Sequence, residues 1–278
     1  MNFAKRTSAA IFAAALSCGA LFTTIAHADA TLDRIKGRGA LTVGVILSGA
    51  PFGYIDPASQ EQKGYNLDIA KALAEKLGVK LETVTVTPPN RVQFLQQGKV
   101  DILIANMQYT EERAKILDYV PTPYDHSGGA AVGRKDSGLN DWSDLKGKPV
   151  CVSQGSNYTQ PLMEQYGAEV KALPSQPESL LALQGGNCVA AVHVGATVGL
   201  LLQDRAEEWK DYKILFPTEL VPSDSVIWLR KGESDTSAAL DKAIQELHAN
   251  GKLLDYAKAN RLLNTTYLEE EHKKLEGK

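Results

Sequence analysis

The stretch that decides the fold reads Val100-Asp101-Ile102-Leu103-Ile104-Ala105-Asn106-Met107-Gln108-Tyr109-Thr110-Glu111-Glu112-Arg113. Its apolar run, residues 102–105, has the length of a strand buried on both faces, and polar side chains follow at Asn106 and Gln108. Thr110 is placed to cap a helix whose first turn contains Arg113. Because a cation is disfavoured at a helix N-terminus, we expect Arg113 to face an anion such as a carboxylate.

The first 28 residues have the pattern of an export signal. A basic pair precedes an apolar run that closes with Ala26-His27-Ala28, so the mature chain is expected to begin at Asp29. Cleavage before Cys18 would give a lipid-anchored form, but Ala15-Leu16-Ser17-Cys18 is a poor lipobox. Later apolar runs fall short of the ~20 residues that cross a bilayer, which indicates a soluble, extracytoplasmic protein.

Charge and histidine spacing exclude several functions. Of the 30 basic residues, Lys5 and Arg6 lie in the signal, which leaves 28 against 33 acidic residues and a net charge of −5. Nucleic acid binding needs concentrated Lys and Arg, so it is not expected. The mature histidines lack metal-ligand spacing, and no metal or other cofactor is predicted. Motifs of serine hydrolases, zinc proteases and P-loop enzymes are missing as well.

Two cysteines, Cys151 and Cys188, lie in the mature chain. An even pair in an oxidising compartment favours a disulfide, and a doubly wound strand order would place the two strands that carry them side by side. Two buried thiols are the alternative.

Strand and helix patterns alternate along the chain. Strands predicted at residues 41–46, 81–86 and 102–105 are separated by helices that end at Gly78 and Gly98, which indicates a parallel sheet with ligands at the carboxyl ends of its strands. A second series has strands at residues 130–132, 149–153, 169–173 and 188–192. Two proline-marked crossings, at residues 124–126 and 218–222, suggest two lobes around a cleft. The charged tail after Tyr267 is predicted to fray.

Side chains suited to a small polar molecule follow the strands of both series. Arg113 can grip a carboxylate with two parallel hydrogen bonds, although a surface salt bridge is the alternative. Asn106 and Gln108 either donate to a ligand or satisfy local backbone groups. Phe52 and Tyr54 either wall a pocket or pack within their loop.

In the second series, Ser153, Ser156 and Asn157 lie where a strand ends and a helix is expected to begin. Free backbone N–H groups at such a point favour an anion. A simple N-cap by Ser156 is the alternative.

Several further stretches complete a family pattern. They are Leu41-Thr42-Val43-Gly44, Ala50-Pro51-Phe52, Gly64-Tyr65-Asn66-Leu67-Asp68, Gly98-Lys99-Val100-Asp101, Thr110-Glu111-Glu112-Arg113, Pro123-Tyr124, Leu145-Lys146-Gly147-Lys148 and Gln154-Gly155-Ser156. With them the chain resembles the extracytoplasmic polar-amino-acid-binding proteins of bacterial ABC importers over nearly its whole mature length. The resemblance implies the type II periplasmic binding protein fold: two doubly wound α/β lobes, a two-strand hinge and a ligand cleft between the lobes. The expected lobes are residues 29–125, residues 126–219, and a return to the first lobe at 220–278.

The resemblance also implies roles for single residues. Arg113 matches the family's carboxylate-binding arginine, Ser156 and Asn157 match its second-lobe contacts, and His193 either contacts the ligand or packs on its strand. Ile46 and Val194 stand where relatives would supply carboxylates for an α-ammonium group. Either Asp224 replaces these acids, or the ligand lacks a standard α-amino group.

The expected function is therefore that of a monomeric periplasmic solute-binding subunit. It would capture a small carboxylate-bearing solute, an amino acid or derivative, and deliver it to the importer's permease in the inner membrane. Alternatives are an exported enzyme similar to the cyclohexadienyl and arogenate dehydratases, which need a placed general acid and base, and an isolated sensor domain.

Overall fold

The computed structural model describes residues 30–277, so the predicted export signal lies outside the described residues. Elements before the first crossing are α1 Ala30–Arg38, β1 Ala40–Val45, β2 Tyr54–Ile55, β3 Gln62–Lys63, α2 Tyr65–Leu77, β4 Lys80–Thr85, α3 Arg91–Gln96, β5 Ile102–Leu103, α4 Glu111–Ile116 and β6 Leu117–Tyr119. Those up to the second crossing are β7 Asp125–Arg134, a short 3-10 helix Trp142–Leu145, β8 Pro149–Ser153, α5 Thr159–Glu164, β9 Glu169–Leu173, α6 Gln176–Gln184, β10 Ala190–Val194, α7 Gly195–Asp204, β11 Tyr212–Ile214 and β12 Leu220–Ser225. The last elements are β13 Trp228–Arg230, α8 Ser234–Ala249, α9 Lys252–Ala259 and α10 Thr266–Leu275.

Two sheets form the two lobes. The first has strand order β4-β1-β5-β13-β6, with β1 parallel to β4 and β5, and with the late strand β13 antiparallel to β5 and β6. The second has order β11-β7-β10-β8-β9, with β12 paired to β7. Helices α8 and α9 pack on α2 of the first lobe, so residues 234–259 belong to the first lobe. The predicted two-lobed α/β fold is confirmed.

The two crossing segments lie side by side and form the hinge. Val120 N donates to the carbonyl of Ile227 at 2.9 Å, and Tyr124 N donates to the carbonyl of Ser225 at 3.0 Å. Because β12 pairs with β7 in the second sheet, residues 220–225 lie beside the second lobe, and the chain enters the first sheet at β13. The lobe boundaries at residues 125 and 219 stay a prediction.

The first-lobe core follows from the apolar periodicity of α2. Tyr65, Ile69 and Leu73 are four residues apart and fully buried against the all-buried strand β1. Burying a side chain of this size contributes roughly 1.5–3 kcal/mol. Gly78 ends the helix in the left-handed conformation at φ 70°, as predicted. None of the helices between residues 30 and 277 combines the length and apolar character needed to cross a bilayer.

Local caps set the start of two further helices. Thr110 Oγ1 accepts a hydrogen bond from the backbone N of Arg113 at 3.2 Å, as predicted for α4. Ser175 Oγ accepts from the backbone N of Glu178 and caps α6. Each such cap stabilises a helix by about 1 kcal/mol.

The structure contains the predicted disulfide but not the predicted frayed tail. Cys151 and Cys188 form a disulfide with a Cα–Cα distance of 5.8 Å, because β8 pairs with β10 and Cys188 lies two residues before β10. The prediction of a frayed tail is wrong. Residues 266–275 form helix α10, in which Leu268 is buried and Tyr267 Oη donates to the carbonyl of Pro123 at the hinge, at 3.3 Å.

Candidate ligand-binding site

A cavity of about 190 Å³ lies between the lobes. Its first-lobe wall consists of residues 46–48, which follow β1, residues 85–88, which begin at the end of β4, and Arg91, Asn106 and Gln108. Its second-lobe wall includes residues 156–158 and 193–194. Since the carboxyl ends of neighbouring parallel strands meet at one edge of a sheet, both lobes present strand ends to the cavity, as doubly wound folds do at their ligand sites.

Two predicted residues, Asn106 and Gln108, lie in the cavity wall and are held by other side chains. Asn106 has φ 48°, and its Oδ1 accepts from the Nδ2 of Asn66 at 2.7 Å, which leaves its amide hydrogens for the cavity. Gln108 is buried, and its Nε2 donates to the carbonyl of Ser127 at 3.0 Å and to the hydroxyl of Tyr158 at 2.8 Å. Gln108 therefore ties the first lobe to the second.

The two arginines of the site converge on one carbonyl group. Arg113 donates from Nη1 to the carbonyl of Gln108 at 2.6 Å and from Nη2 to that of Gly155 at 3.0 Å. Arg91 lines the cavity and donates to the carbonyl of Ala105 at 2.7 Å and to that of Gly155 at 3.4 Å. Arg113 is not part of the cavity wall in this arrangement. Its hydrogen bond to Gly155 joins the lobes instead.

Arg91 lines the cavity, but the sequence alone did not single it out. It is 5% exposed, and burial, together with the nearby charge of Arg113, lowers the pKa of its guanidinium to about 9. Burial likewise lowers the pKa of Arg113 to about 10. Within the described residues, neither guanidinium has a carboxylate within salt-bridge distance. Arg91 is the first residue of α3, where a cation is disfavoured for the same reason as at Arg113 in α4.

The predicted second-lobe residues Ser153, Ser156 and Asn157 all line the cavity. Ser156 Oγ accepts from the backbone N of Tyr158 at 3.2 Å and orders this turn, while α5 begins three residues later than Ser156, at Thr159. The Nδ2 of Asn157 is buried and has no hydrogen-bond partner among the described residues. An unpaired buried donor is costly, so this amide is suited to a ligand acceptor.

His193 also lines the cavity and is 4% exposed. Burial lowers the pKa of its imidazole to about 3, so the ring is neutral at physiological pH. Its Nε2 lies 2.8 Å from the hydroxyl oxygen of Ser179, a fully buried residue of α6. If Nε2 carried the proton, the hydroxyl hydrogen would be buried without a partner. We therefore expect the hydroxyl to donate to Nε2 and the ring proton to lie on Nδ1.

Phe52 and Tyr54 lie outside the cavity wall. Phe52 is 2% exposed and packs edge-on against Tyr65 in the first-lobe core, with ring centroids 6.4 Å apart. Tyr54 belongs to β2, which pairs with β3 in a small hairpin. Phe52 therefore packs into the first-lobe core rather than within its loop, and neither residue walls the cavity.

Known proteins share this architecture. Residues 41–259 match the family of bacterial extracellular solute-binding proteins, family 3. The glutamine-binding protein of Geobacillus stearothermophilus is 34% identical over 206 residues, which are 72% of this chain and 76% of the relative. The P235GK mutant of ArgBP from T. maritima has a TM-score of 0.76 at 29% identity, over 83% of this chain and 99% of that one. The ancestral amino acid-binding protein AncCDT-1, described as a precursor of cyclohexadienyl dehydratase, has a TM-score of 0.74 at 25% identity, over 83% and 99%.

The chain therefore belongs to the bacterial extracellular solute-binding proteins, family 3. The predicted resemblance and the predicted class, a solute-binding subunit of an ABC importer, are confirmed.

Proposed function

We propose that this protein captures a small carboxylate-bearing solute, an amino acid or derivative, in the cavity between its lobes. The observation that carries the proposal is Arg91, a buried guanidinium in the cavity wall with no carboxylate at salt-bridge distance among the described residues. A buried charge is costly unless it is paired, so a ligand anion is the partner that this group lacks. Two parallel hydrogen bonds to a carboxylate suit the planar guanidinium.

Lobe closure is proposed as the mechanism of capture. Arg113 and Gln108, which lie on the strand-to-helix segment of the first lobe, both bond to groups of the second lobe. Between residues 30 and 277, two segments connect the lobes, a geometry suited to rotation of one lobe against the other. A solute enclosed by both lobes loses its water, which strengthens its polar contacts.

Residues 1–28 support a periplasmic location, with delivery of the solute to a permease in the inner membrane. We propose a monomer with no nucleic acid partner and no cofactor. The second candidate is an exported dehydratase-like enzyme, which the likeness to AncCDT-1 favours. Turnover of a cyclohexadienyl substrate by the purified protein would support the enzyme, whereas binding without turnover supports the transport subunit.

A thermal-shift screen of amino acids and small organic acids tests the proposal. A ligand at 100 times its dissociation constant stabilises the protein by ~2.7 kcal/mol. Calorimetry on the best ligand then compares Arg91→Lys with Arg134→Lys, a matched change at an exposed arginine that pairs with Asp136. Loss of the planar fork should lower affinity at least tenfold for Arg91→Lys only. A screen in which no carboxylate shifts the melting temperature would refute the proposed function.

A further inference from the structure

The cavity carries an excess of positive charge. Arg91 contributes a buried guanidinium to its wall, and Arg113 lies close enough to share the carbonyl of Gly155. Within the part of the chain that the structure describes, the cavity wall contains no aspartate or glutamate. A ligand that neutralises this site must therefore bring net negative charge.

The remaining groups of the wall are neutral. Ile46, Val86 and Val194 present apolar side chains, which cannot accept a hydrogen bond from an ammonium group. Asn157 offers an unpaired amide donor, and in the tautomer expected for His193 its Nδ1–H is a further donor. Hydroxyl and amide oxygens of the wall, such as those of Thr85, Ser153 and Gln176, can accept hydrogen bonds but carry no negative charge, so the wall provides no anionic partner for an ammonium group.

Acidic side chains near the hinge are engaged elsewhere. The carboxylate of Asp224 lies 2.8 Å from Nδ1 of His126, and its side chain is 47% exposed. Glu219 accepts from the backbone N of Gly128 at 3.0 Å. Asp125 is buried on β7, and burial raises the pKa of its carboxyl to about 6. None of the three belongs to the cavity wall.

A zwitterionic amino acid fits this site poorly. Its carboxylate pairs with one guanidinium, but its ammonium adds a cation beside two others and finds only neutral oxygens, such as the Oε1 of Gln108. Neutral oxygens accept hydrogen bonds without compensating the charge.

We propose that the cavity selects anionic carboxylates that carry no free ammonium group, such as 2-oxo, 2-hydroxy or N-acyl acids. This inference rests on the proposed function, because it specifies which carboxylates the same cavity accepts. It narrows the proposed ligands to carboxylates that differ from the amino acids in the names of the relatives.

Matched ligands test the inference. L-glutamate, L-glutamine and L-leucine are each measured by calorimetry beside their 2-oxo and N-acetyl analogues, at one pH and one salt concentration. We expect an analogue to bind at least tenfold more tightly than its parent amino acid. An L-amino acid that binds more tightly than both of its analogues overturns the inference and leaves carboxylate capture intact. If no compound of the panel binds, both this inference and capture of these carboxylates are refuted.

A substitution at Val194 provides an independent measurement. Val194 is the N-cap residue of α7 and lies in the cavity wall, and Asp and Asn are both preferred at N-caps, so either change should preserve folding. Val194→Asp should shift the affinity ratio at least tenfold toward the amine-bearing parent, whereas Val194→Asn, of equal size and no charge, should not. Equal ratios for the two variants would show that charge at this wall does not control selection and would overturn the inference.

Discussion

Arg113 donates from Nη2 to the carbonyl oxygen of Gly155 across 3.0 Å, and this bond joins α4 of the first lobe to the loop that follows β8 in the second. Gly155 has φ 72°, in the left-handed region, and a Cβ at this position would lie 3.0 Å from the carbonyl oxygen of Pro88. Since Pro88 and Arg113 both belong to the first lobe, Gly155 lies against that lobe at two residues. We expect this contact to form only when the lobes close.

Gly155→Ala is expected to weaken ligand binding about tenfold, because the added methyl group crowds Pro88 in the closed arrangement. Gly138→Ala is the matched control, with φ 71° and nothing within 4 Å of the new Cβ. Both changes carry the cost of a left-handed alanine, about 1–2 kcal/mol, and should lower the melting temperature. Only Gly155→Ala should lower the ligand affinity measured by calorimetry. Equal affinities for the two variants would contradict a contact between Gly155 and Pro88 in the ligand-bound protein.

Arg113→Ala is expected to abolish useful binding without unfolding the protein. The change removes a cation next to the ligand site and the hydrogen bond to Gly155. If the guanidinium pairs with the ligand carboxylate, as the resemblance implies, its removal costs roughly 2–5 kcal/mol, or about 30-fold to several thousand-fold in affinity. Calorimetry on a variant with a native circular dichroism spectrum is the measurement. Affinity within threefold of the wild type would mean that Arg113 does not contribute to ligand binding.

The sequence predicts elements whose causes are local. The stop at Gly78 and the cap at Thr110 depend on residues within a few positions of the helix end, and the structure has both. The predicted residues Asn106, Gln108, Ser153, Ser156, Asn157 and His193 meet in one cavity because each follows or ends a strand of a parallel arrangement.

Tertiary contacts explain what the sequence did not predict. Helix α10 is charged on its exposed face, and its stability comes from the burial of Leu268 and from the contact of Tyr267 with Pro123 at the hinge, far away in the chain. The exclusion of Phe52 from the cavity likewise depends on its partner Tyr65, which the loop sequence does not reveal.

Reduction of the Cys151–Cys188 disulfide is expected to destabilise the second lobe. Its sequence separation of 37 corresponds to roughly 4 kcal/mol in the chain-entropy model. Urea unfolding with and without reductant measures the effect, and a Cys151→Ala/Cys188→Ala variant, which should not respond to reductant, is the control. Two alkylatable thiols in freshly prepared protein that lacks residues 1–28 would contradict the pairing.

Ser179→Ala is expected to change the tautomer of His193. In the wild type the Ser179 hydroxyl donates to Nε2, so ring ¹⁵N shifts should report a proton on Nδ1. Without the hydroxyl, the proton is free to move to Nε2, and ligand affinity should fall severalfold. Ser237→Ala, which removes a hydroxyl that donates to Tyr119 in the first lobe, is the control. A wild-type ring protonated on Nε2 would refute the assignment.

The last prediction concerns stability in acid, where His193 and Asp125 act in opposite directions. Burial lowers the pKa of His193 from 6.5 to about 3, so between these values the unfolded chain binds a proton that the native state does not. This contribution to the free energy of unfolding is fully present above pH 6.5 and is lost as the pH falls toward 3. Burial raises the pKa of Asp125 from 3.8 to about 6, so the native state binds the extra proton there, and stability rises as the pH falls from 6 to 4.

The two contributions largely cancel between pH 4 and 6, and the single variants should separate them. His193→Gln should lose less stability than the wild type when the pH falls from 7 to 4, by an amount of order 3 kcal/mol at 1.36 kcal/mol per pKa unit. Asp125→Asn should lose more. Urea unfolding at pH 7, 6, 5 and 4 measures both. If the wild type and His193→Gln have the same dependence on pH, the imidazole of His193 is not held in its neutral form by burial.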